Sequence, residues 1–251
     1  MQMLADRLRA SPRGLVGTWV KFPSLESMQL LAHAGFEFVV IDLEHAPHAM
    51  DRAVELVFAA QAMGMAALVR LPDQTGAAVQ PLLDGGADGL LVPRVTSPEI
   101  AAAIARRMVF APHGERGLGT TSRAGRWGTG DMAAYIERGN EQCLRVIQLE
   151  DWDNIARAAD YAALDDVNGL FIGHGDLLLS SGKGPGDPDV RQLTARMLAA
   201  CQSAGVFSGV AAAAPELARN YLDMGFSLVM VSNDTTMFAQ AAAETLRRTL
   251  G

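Results

Sequence analysis

With 251 residues, 49% hydrophobic and 20% charged, the chain can bury a full core, and we read residues 1–251 as one domain. No apolar run reaches the ~18 residues of a membrane span, and residues 1–14 carry charges without the apolar centre of a signal peptide, so a cytoplasmic protein with no membrane partner is expected. A net charge of -7 offers no basic footprint for nucleic acid and leaves a small molecule as the expected partner.

Apolar runs recur at 15–20, 36–44, 66–71, 89–95, 144–150, 168–173, 207–211 and 227–231, with helical segments between them. Alternation of strand and helix predicts an α/β fold, a closed parallel (β/α)8 TIM barrel. The near-continuous Val, Ile and Leu content of these runs suits strands covered on both faces. Ser24 is placed to cap a helix that carries Glu26 in its first turn and stops at Gly35. Pro215 opens another, on which Leu217, Tyr221 and Met224 share a core-facing stripe until Gly225. Residues 112–130 form the one long irregular insertion, rich in Gly and Arg, and are expected to overhang the catalytic face. Cys143 and Cys201 lie far apart in apolar surroundings, which predicts buried thiols and not a disulfide.

Four of these runs end in residues that carry chemistry. Asp42 and His45 follow 38–41, Arg70 follows 66–69, Glu150 follows 146–149, and Asp176 follows 170–173. In a barrel of parallel strands all of those ends open onto one face, so a base, a cation and carboxylates converge on one pocket. Each carboxylate taken alone is as well read as a salt-bridged rim residue; the convergence is what favours catalysis. Glu150 and Asp176, with no Cys and no HxxxH spacing nearby, suit a hard divalent ion such as magnesium or manganese that keeps waters and substrate oxygens as further ligands. Asp176 also follows a Gly173-His174-Gly175 turn that opens a short helix over 176–180, whose free N–H groups bind a carboxylate. Asp42 stands three residues before His45 and is expected to orient its imidazole as a general base. Arg70 either stabilises an enolate oxygen or forms a rim ion pair with Asp42 or Glu44.

The remaining candidates read as structure. His33 belongs to a helix, and His48 and His113 to loops. Gly114, Gly117 and Gly119 are spaced GxxGxG outside any strand-turn-helix context, which argues against a dinucleotide site. Arg116, Arg123 and Arg126 form either an anion clamp or a structural cluster, with the second favoured. A Schiff-base aldolase needs a pocket lysine; of Lys21 and Lys183, the only two in the chain, Lys21 alone stands near a barrel mouth.

Taken together, Ile41-Asp42-Leu43-Glu44-His45-Ala46-Pro47, Val69-Arg70, Leu91-Val92-Pro93, Arg116-Gly117-Leu118-Gly119 with Arg126-Trp127, Gln148-Leu149-Glu150, Phe171-Ile172-Gly173 with Asp176-Leu177, and Asp234-Thr235-Thr236 resemble the class II pyruvate aldolases, from about Gly14 onward. That family includes 4-hydroxy-2-oxoheptanedioate and 2-dehydro-3-deoxyglucarate aldolases. The resemblance implies reversible cleavage of a 4-hydroxy-2-oxo acid to pyruvate and an aldehyde. It further implies a homo-oligomer, commonly a hexamer, whose last helix packs on a neighbouring subunit. It assigns a divalent ion (Mg, Mn or Co) to Glu150 and Asp176, chelated by pyruvate, with Arg70 against the keto oxygen. The backbone at Gly175 and Asp176, next to Gly173, would receive the substrate carboxylate. His45, oriented by Asp42, would handle the aldol hydroxyl proton, Gln148 would support the ligands, and Asp84 would reach an adjoining subunit's site. This chain departs from the family at His174-Gly175, where Pro-Ala is usual; His174 is expected to point away from the metal. The rival readings are a lyase acting on an acyl-CoA ester, which usually has a longer C-terminal region, and a silent barrel used for binding.

Overall fold

The computed structural model describes residues 2–251. In chain order the elements are α1 (Leu4–Ala10), β1 (Leu15–Val20), α2 (Leu25–Ala34), β2 (Phe38–Asp42), α3 (Met50–Ala62), β3 (Ala66–Arg70), α4 (Val79–Asp84), β4 (Gly89–Val92), α5 (Pro98–Arg106) and α6 (Met132–Gln142). They continue as β5 (Leu144–Leu149), α7 (Trp152–Ala156), α8 (Ala158–Ala162), β6 (Gly169–Ile172), α9 (His174–Ser181), α10 (Pro188–Ala204), β7 (Phe207–Ala212), α11 (Pro215–Met224), β8 (Leu228–Asn233) and α12 (Asp234–Leu250). The strands pair in parallel in sequence order, and β8 returns to β1 to close the barrel. Closure removes every free sheet edge and opens all eight strand C-termini onto one face.

Side-chain alternation divides the apolar residues into two layers. Phe38, Val40, Ala66, Leu68, Leu144 and Val146 fill the barrel interior, while Val39, Ile41, Ala67, Val69, Ile147 and Leu149 pack outward under the helices. The lower end of the interior is stoppered by α1, whose Leu4, Ala5 and Leu8 bury into the inner layer. Both cysteines are buried and free, and burial pushes the Cys201 thiol up to about 12.

Helix ends obey the local chemistry. Ser24 Oγ accepts the Ser27 N–H at the start of α2, and Gly35 closes it at φ 93°, a left-handed conformation that costs a residue without Cβ little. On α11 the buried face is Ala218 and Tyr221; Met224, expected in the same stripe, is 40% exposed because the helix ends there at Gly225.

The insertion at 112–130 does not overhang the catalytic face. Arg123 donates to Gly85 O (2.8 Å) and Gln61 Oε1 (2.7 Å), and Arg116 donates to Asp84 Oδ1 (3.3 Å). Those acceptors stand at the ends of α3 and α4, where the chain is about to enter β3 and β4. The insertion comes after α5, which has already carried the chain back to the N-terminal side of the barrel. Arg116 also stacks on Phe110, and Arg123 on Phe58, so both arginines hold the insertion in place.

At the other end of the chain, α12 leaves the barrel. Asp234 is its only buried residue, while Phe238, Leu246 and Leu250 are all more than half exposed.

Candidate active site

The inward parity that places Val40, Leu68 and Val146 in the core also orients the polar residues at the ends of their strands. Asp42, Arg70 and Gln148 each lie two positions beyond one of those core residues, and Glu150 lies two beyond Gln148; all four are buried at the C-terminal end of the barrel. Asp42 and Arg70 are register partners across β2 and β3, so the guanidinium meets the carboxylate side on: Nε to Oδ1 at 2.9 Å and Nη2 to Oδ2 at 2.7 Å. Nη1 reaches Glu44 Oε2 at 3.0 Å, and the guanidinium lies over the Trp19 ring, 4.2 Å from its centroid. Lys21 Nζ completes the group at 2.6 Å from Asp42 Oδ2. Asp42 is fully buried; burial opposes its ionisation, but the Arg70 hydrogen bonds and charge, and after them Lys21, hold its carboxyl far below the usual range. Two cations thus balance two carboxylates.

Glu150 and Asp176 receive no such compensation. Glu150 is 7% exposed and shares the cavity wall with Asp176; burial first, and then Asp176, pushes it up to about 8. Among the described residues its only hydrogen-bond donor is the Arg94 N–H, 3.3 Å from Oε1. Gly173 leaves room for Glu150 and Gln148, because a Cβ there would stand 2.8 Å from Glu150 Cγ and 3.0 Å from Gln148 Nε2. Gln148 Oε1 is buried without a hydrogen-bond partner, as are both carboxylate oxygens of Glu44 by hydrogen-bond geometry, although the Arg70 charge is near. Paired hard oxygens that repel one another beside an unfilled amide oxygen fit a divalent cation, whose charge would offset that repulsion. Among the described residues no set of three or more His, Cys, Asp or Glu side chains has metal-holding geometry, so further ligands would be water or substrate.

Asp176 lies in the first turn of α9, which begins two residues earlier than the expected 176–180 and leaves N–H groups free at its start. His174 turns away from the carboxylates: Nε2 lies 3.0 Å from Thr194 Oγ1, the ring stacks on Tyr221, and burial lowers its pKa to about 4.

The expected pairing of Asp42 with the His45 imidazole does not form. β2 ends at Asp42, not at 44, and the chain bends so that Asp42 Oδ1 accepts the backbone N–H groups of Glu44 (3.1 Å) and His45 (3.2 Å). Asp42 is spent on Arg70 and Lys21. The His45 side chain is 55% exposed, and its nearest carboxylate is Glu44, with Nε2 3.6 Å from Oε2. Asp84 sits at the opposite end of this chain's barrel, held by Arg116, Tyr135 and Gln80. His33 and His113 are exposed and His48 is half-buried, its Nε2 3.4 Å from Val20 O. Lys183 pairs with Asp189.

Sequence reasoning places Lys21 near the barrel mouth but not against Asp42, and it misses Arg94. Lys21 continues the inward parity Leu15, Gly17, Trp19 by one more step, a signal present in the sequence. Arg94 has none: it sits in the bend after β4 at φ 57°, a left-handed conformation that costs a residue with a Cβ roughly 1–2 kcal/mol. That twist turns its N–H toward Glu150 and its side chain into a cavity of about 500 Å³ bordered by Asp73, Gln74, Thr96, Glu150, Asp176 and Ser180.

Residues 15–241 match the model of the HpcH/HpaI aldolase/citrate lyase family, and the chain belongs to that family. It is 32% identical to a hydroxypyruvate/pyruvate aldolase of Chromohalobacter salexigens, over 94% of this chain and 93% of that one. It is 33% identical to a 4-hydroxy-2-oxo-heptane-1,7-dioate aldolase of Klebsiella pneumoniae, over 94% and 89%. The crystal structure of an HpcH/HpaI aldolase/citrate lyase family protein from Burkholderia cenocepacia superposes with a TM-score of 0.89 at 32% identity, covering 99% of both chains.

Proposed function

We propose that this protein is a metal-dependent aldolase that reversibly cleaves 4-hydroxy-2-oxo acids to pyruvate and an aldehyde. The observation that carries the reading is the uncompensated Glu150–Asp176 pair beside an arginine fixed by a buried aspartate, within a family whose members include named pyruvate and hydroxy-oxo acid aldolases. Glu150 and Asp176 would hold a divalent cation (Mg, Mn or Co), with Gln148 supporting them. When bound there, the cation supplies Lewis acidity toward the 2-oxo group.

This chain's own groups do the rest. Two of the five N–H bonds of Arg70 go to Asp42, and Nη1 stands beside Glu44 as an ion pair without hydrogen-bond geometry, so N–H bonds remain for the keto oxygen as it gains negative charge. Because Asp42 fixes the guanidinium before substrate arrives, little reorganisation is required during reaction. The N–H groups at Gly175 and Asp176, next to Gly173, would receive the pyruvyl carboxylate at the start of α9. His45 would take the C4 hydroxyl proton as the C3–C4 bond breaks, with Glu44 and not Asp42 as its neighbouring carboxylate. Lys21 Nζ is engaged by the buried Asp42 carboxylate, which argues against its use as a Schiff-base nucleophile. We further propose a homo-oligomer, hexameric by likeness to the family, in which the exposed apolar side of α12 packs on a second copy and Asp84 reaches that copy's site. We propose the cytoplasm as its place of work, on two buried, unpaired cysteines.

The test is pyruvate release from a panel of 4-hydroxy-2-oxo acids. Chelation should remove it, and magnesium, manganese or cobalt should restore it. Full activity after verified metal removal, or a borohydride-trapped pyruvate adduct on Lys21, overturns the reading.

A further inference from the structure

Among the described residues, the cations at the catalytic face divide into those paired with a carboxylate and one that is not. Arg70 and Lys21 are committed to Asp42 and Glu44. Arg94 is exposed, and among the described residues its guanidinium has no ion-pair partner within 4.0 Å, although Asp73, Glu150, Asp151 and Asp176 border the same cavity. Two of those acids are engaged locally. Asp73 Oδ1 accepts the Thr75 N–H (2.8 Å) and hydroxyl (2.6 Å), and Asp151 caps α7 through the Asn154 N–H (2.9 Å). The other two are the proposed metal ligands. Among the described residues no carboxylate therefore pairs with the Arg94 charge, yet the backbone holds that residue in a left-handed conformation that few of the described non-glycine residues adopt.

We propose that Arg94 is a specificity-determining residue that binds a second anionic group, a carboxylate at the far end of the aldehyde portion of the substrate. This rests on the aldolase function proposed for the site. The geometry couples the two functions of one residue. The Arg94 N–H is 3.3 Å from Glu150 Oε1, so the guanidinium stands one arginine side chain from the place where the 2-oxo acid end would bind. A substrate with charges at both ends spans that distance, and a fork of N–H donors matches a carboxylate. Gln74, on the same wall, carries a buried amide oxygen with no hydrogen-bond partner, an acceptor for a hydroxyl along the substrate chain. The preferred substrates are accordingly 4-hydroxy-2-oxo diacids, and the aldehydes formed are semialdehydes. Without Arg94 the charged side chains lining this cavity would all be acidic.

The experiment reads binding apart from turnover. Magnesium-loaded wild type, Arg94→Met and Arg94→Lys are titrated calorimetrically with 2-oxoadipate and with 2-oxohexanoate, a matched pair that lacks the 4-hydroxyl and is not cleaved. Wild type should bind the diacid at least tenfold more tightly, about 1.4 kcal/mol. Arg94→Met should lose that preference while its affinity for the monoacid stays within threefold, and Arg94→Lys should keep part of it. Equal loss for both acids would show that Arg94 acts through Glu150 or the fold and would overturn the inference. So would a wild type without preference, or one that binds neither acid. If wild type prefers the diacid and Arg94→Met abolishes the preference, but no 4-hydroxy-2-oxo acid is cleaved under any metal, the aldolase reading falls and the anion site stands.

Discussion

Asp42→Asn removes one charge from a fully buried carboxylate that receives three side-chain N–H bonds from Arg70 and Lys21 and two more from the backbone at Glu44 and His45. The amide keeps the shape but leaves two cations facing Glu44 alone. Breaking a buried pair in this way costs about 3–5 kcal/mol. For a chain of this size each kcal/mol lowers Tm by roughly 2–4 °C, so a fall of about 6–20 °C is expected at pH 7. Asp42 is ionised in the folded protein far below its ordinary pKa, so its contribution is present above an unfolded value of about 3.9 and is lost as pH falls below it. The gap between wild type and Asp42→Asn should therefore be constant from pH 7 to about 5 and narrow toward pH 2–3. Differential scanning calorimetry at matched protein concentration measures both, since oligomerisation makes Tm concentration-dependent. A gap below about 2 °C at pH 7, or one equally wide at pH 3, refutes the claim that Asp42 is the ionised anchor of this cluster.

Arg70→Ala should suppress both cleavage and the exchange of pyruvate methyl protons with solvent by about a hundredfold or more, measured by NMR, because both pass through charge on the same oxygen. His45→Ala should depress cleavage at least tenfold more than exchange; equal losses would show that the two roles are wrongly divided. His174→Ala should lose roughly 1–3 kcal/mol of stability through the stranded Thr194 hydroxyl, yet hold metal affinity within tenfold; a hundredfold loss in a folded variant would make His174 a ligand. Lys21→Met should retain cleavage within about tenfold while lowering Tm, whereas complete loss in a folded protein would revive covalent catalysis.

Most of this architecture is legible in the sequence because one rule, alternation along a strand, governs both core and site. Val40 and Leu68 point inward, so Asp42 and Arg70 must, and the pocket lies where the apolar runs stop. The rule fails where the strand does. It extends β2 to Glu44 and so offers His45 to Asp42, whereas the chain bends after Asp42 and turns the carboxylate to the backbone instead. The insertion at 112–130 escapes the rule for a different reason. Loops between strands face both ends of a barrel, and only the intervening α5, capped at Ser97, tells which end has been reached. Arg94 depends on a single backbone dihedral after β4, and no pattern of residue types encodes it.

The indole of Trp19 lies under the guanidinium that the substrate's developing charge would meet. The chain has only two other tryptophans: Trp127 is 70% exposed on the insertion, and Trp152 lies under Lys183. Replacing both with phenylalanine would leave a protein whose ultraviolet emission is dominated by Trp19. Any ligand that draws Arg70 from its ring, or presses it closer, would then change the emission spectrum directly. The arginine proposed to meet the keto oxygen carries its own optical reporter, with which occupancy of the pocket can be followed in real time without a label.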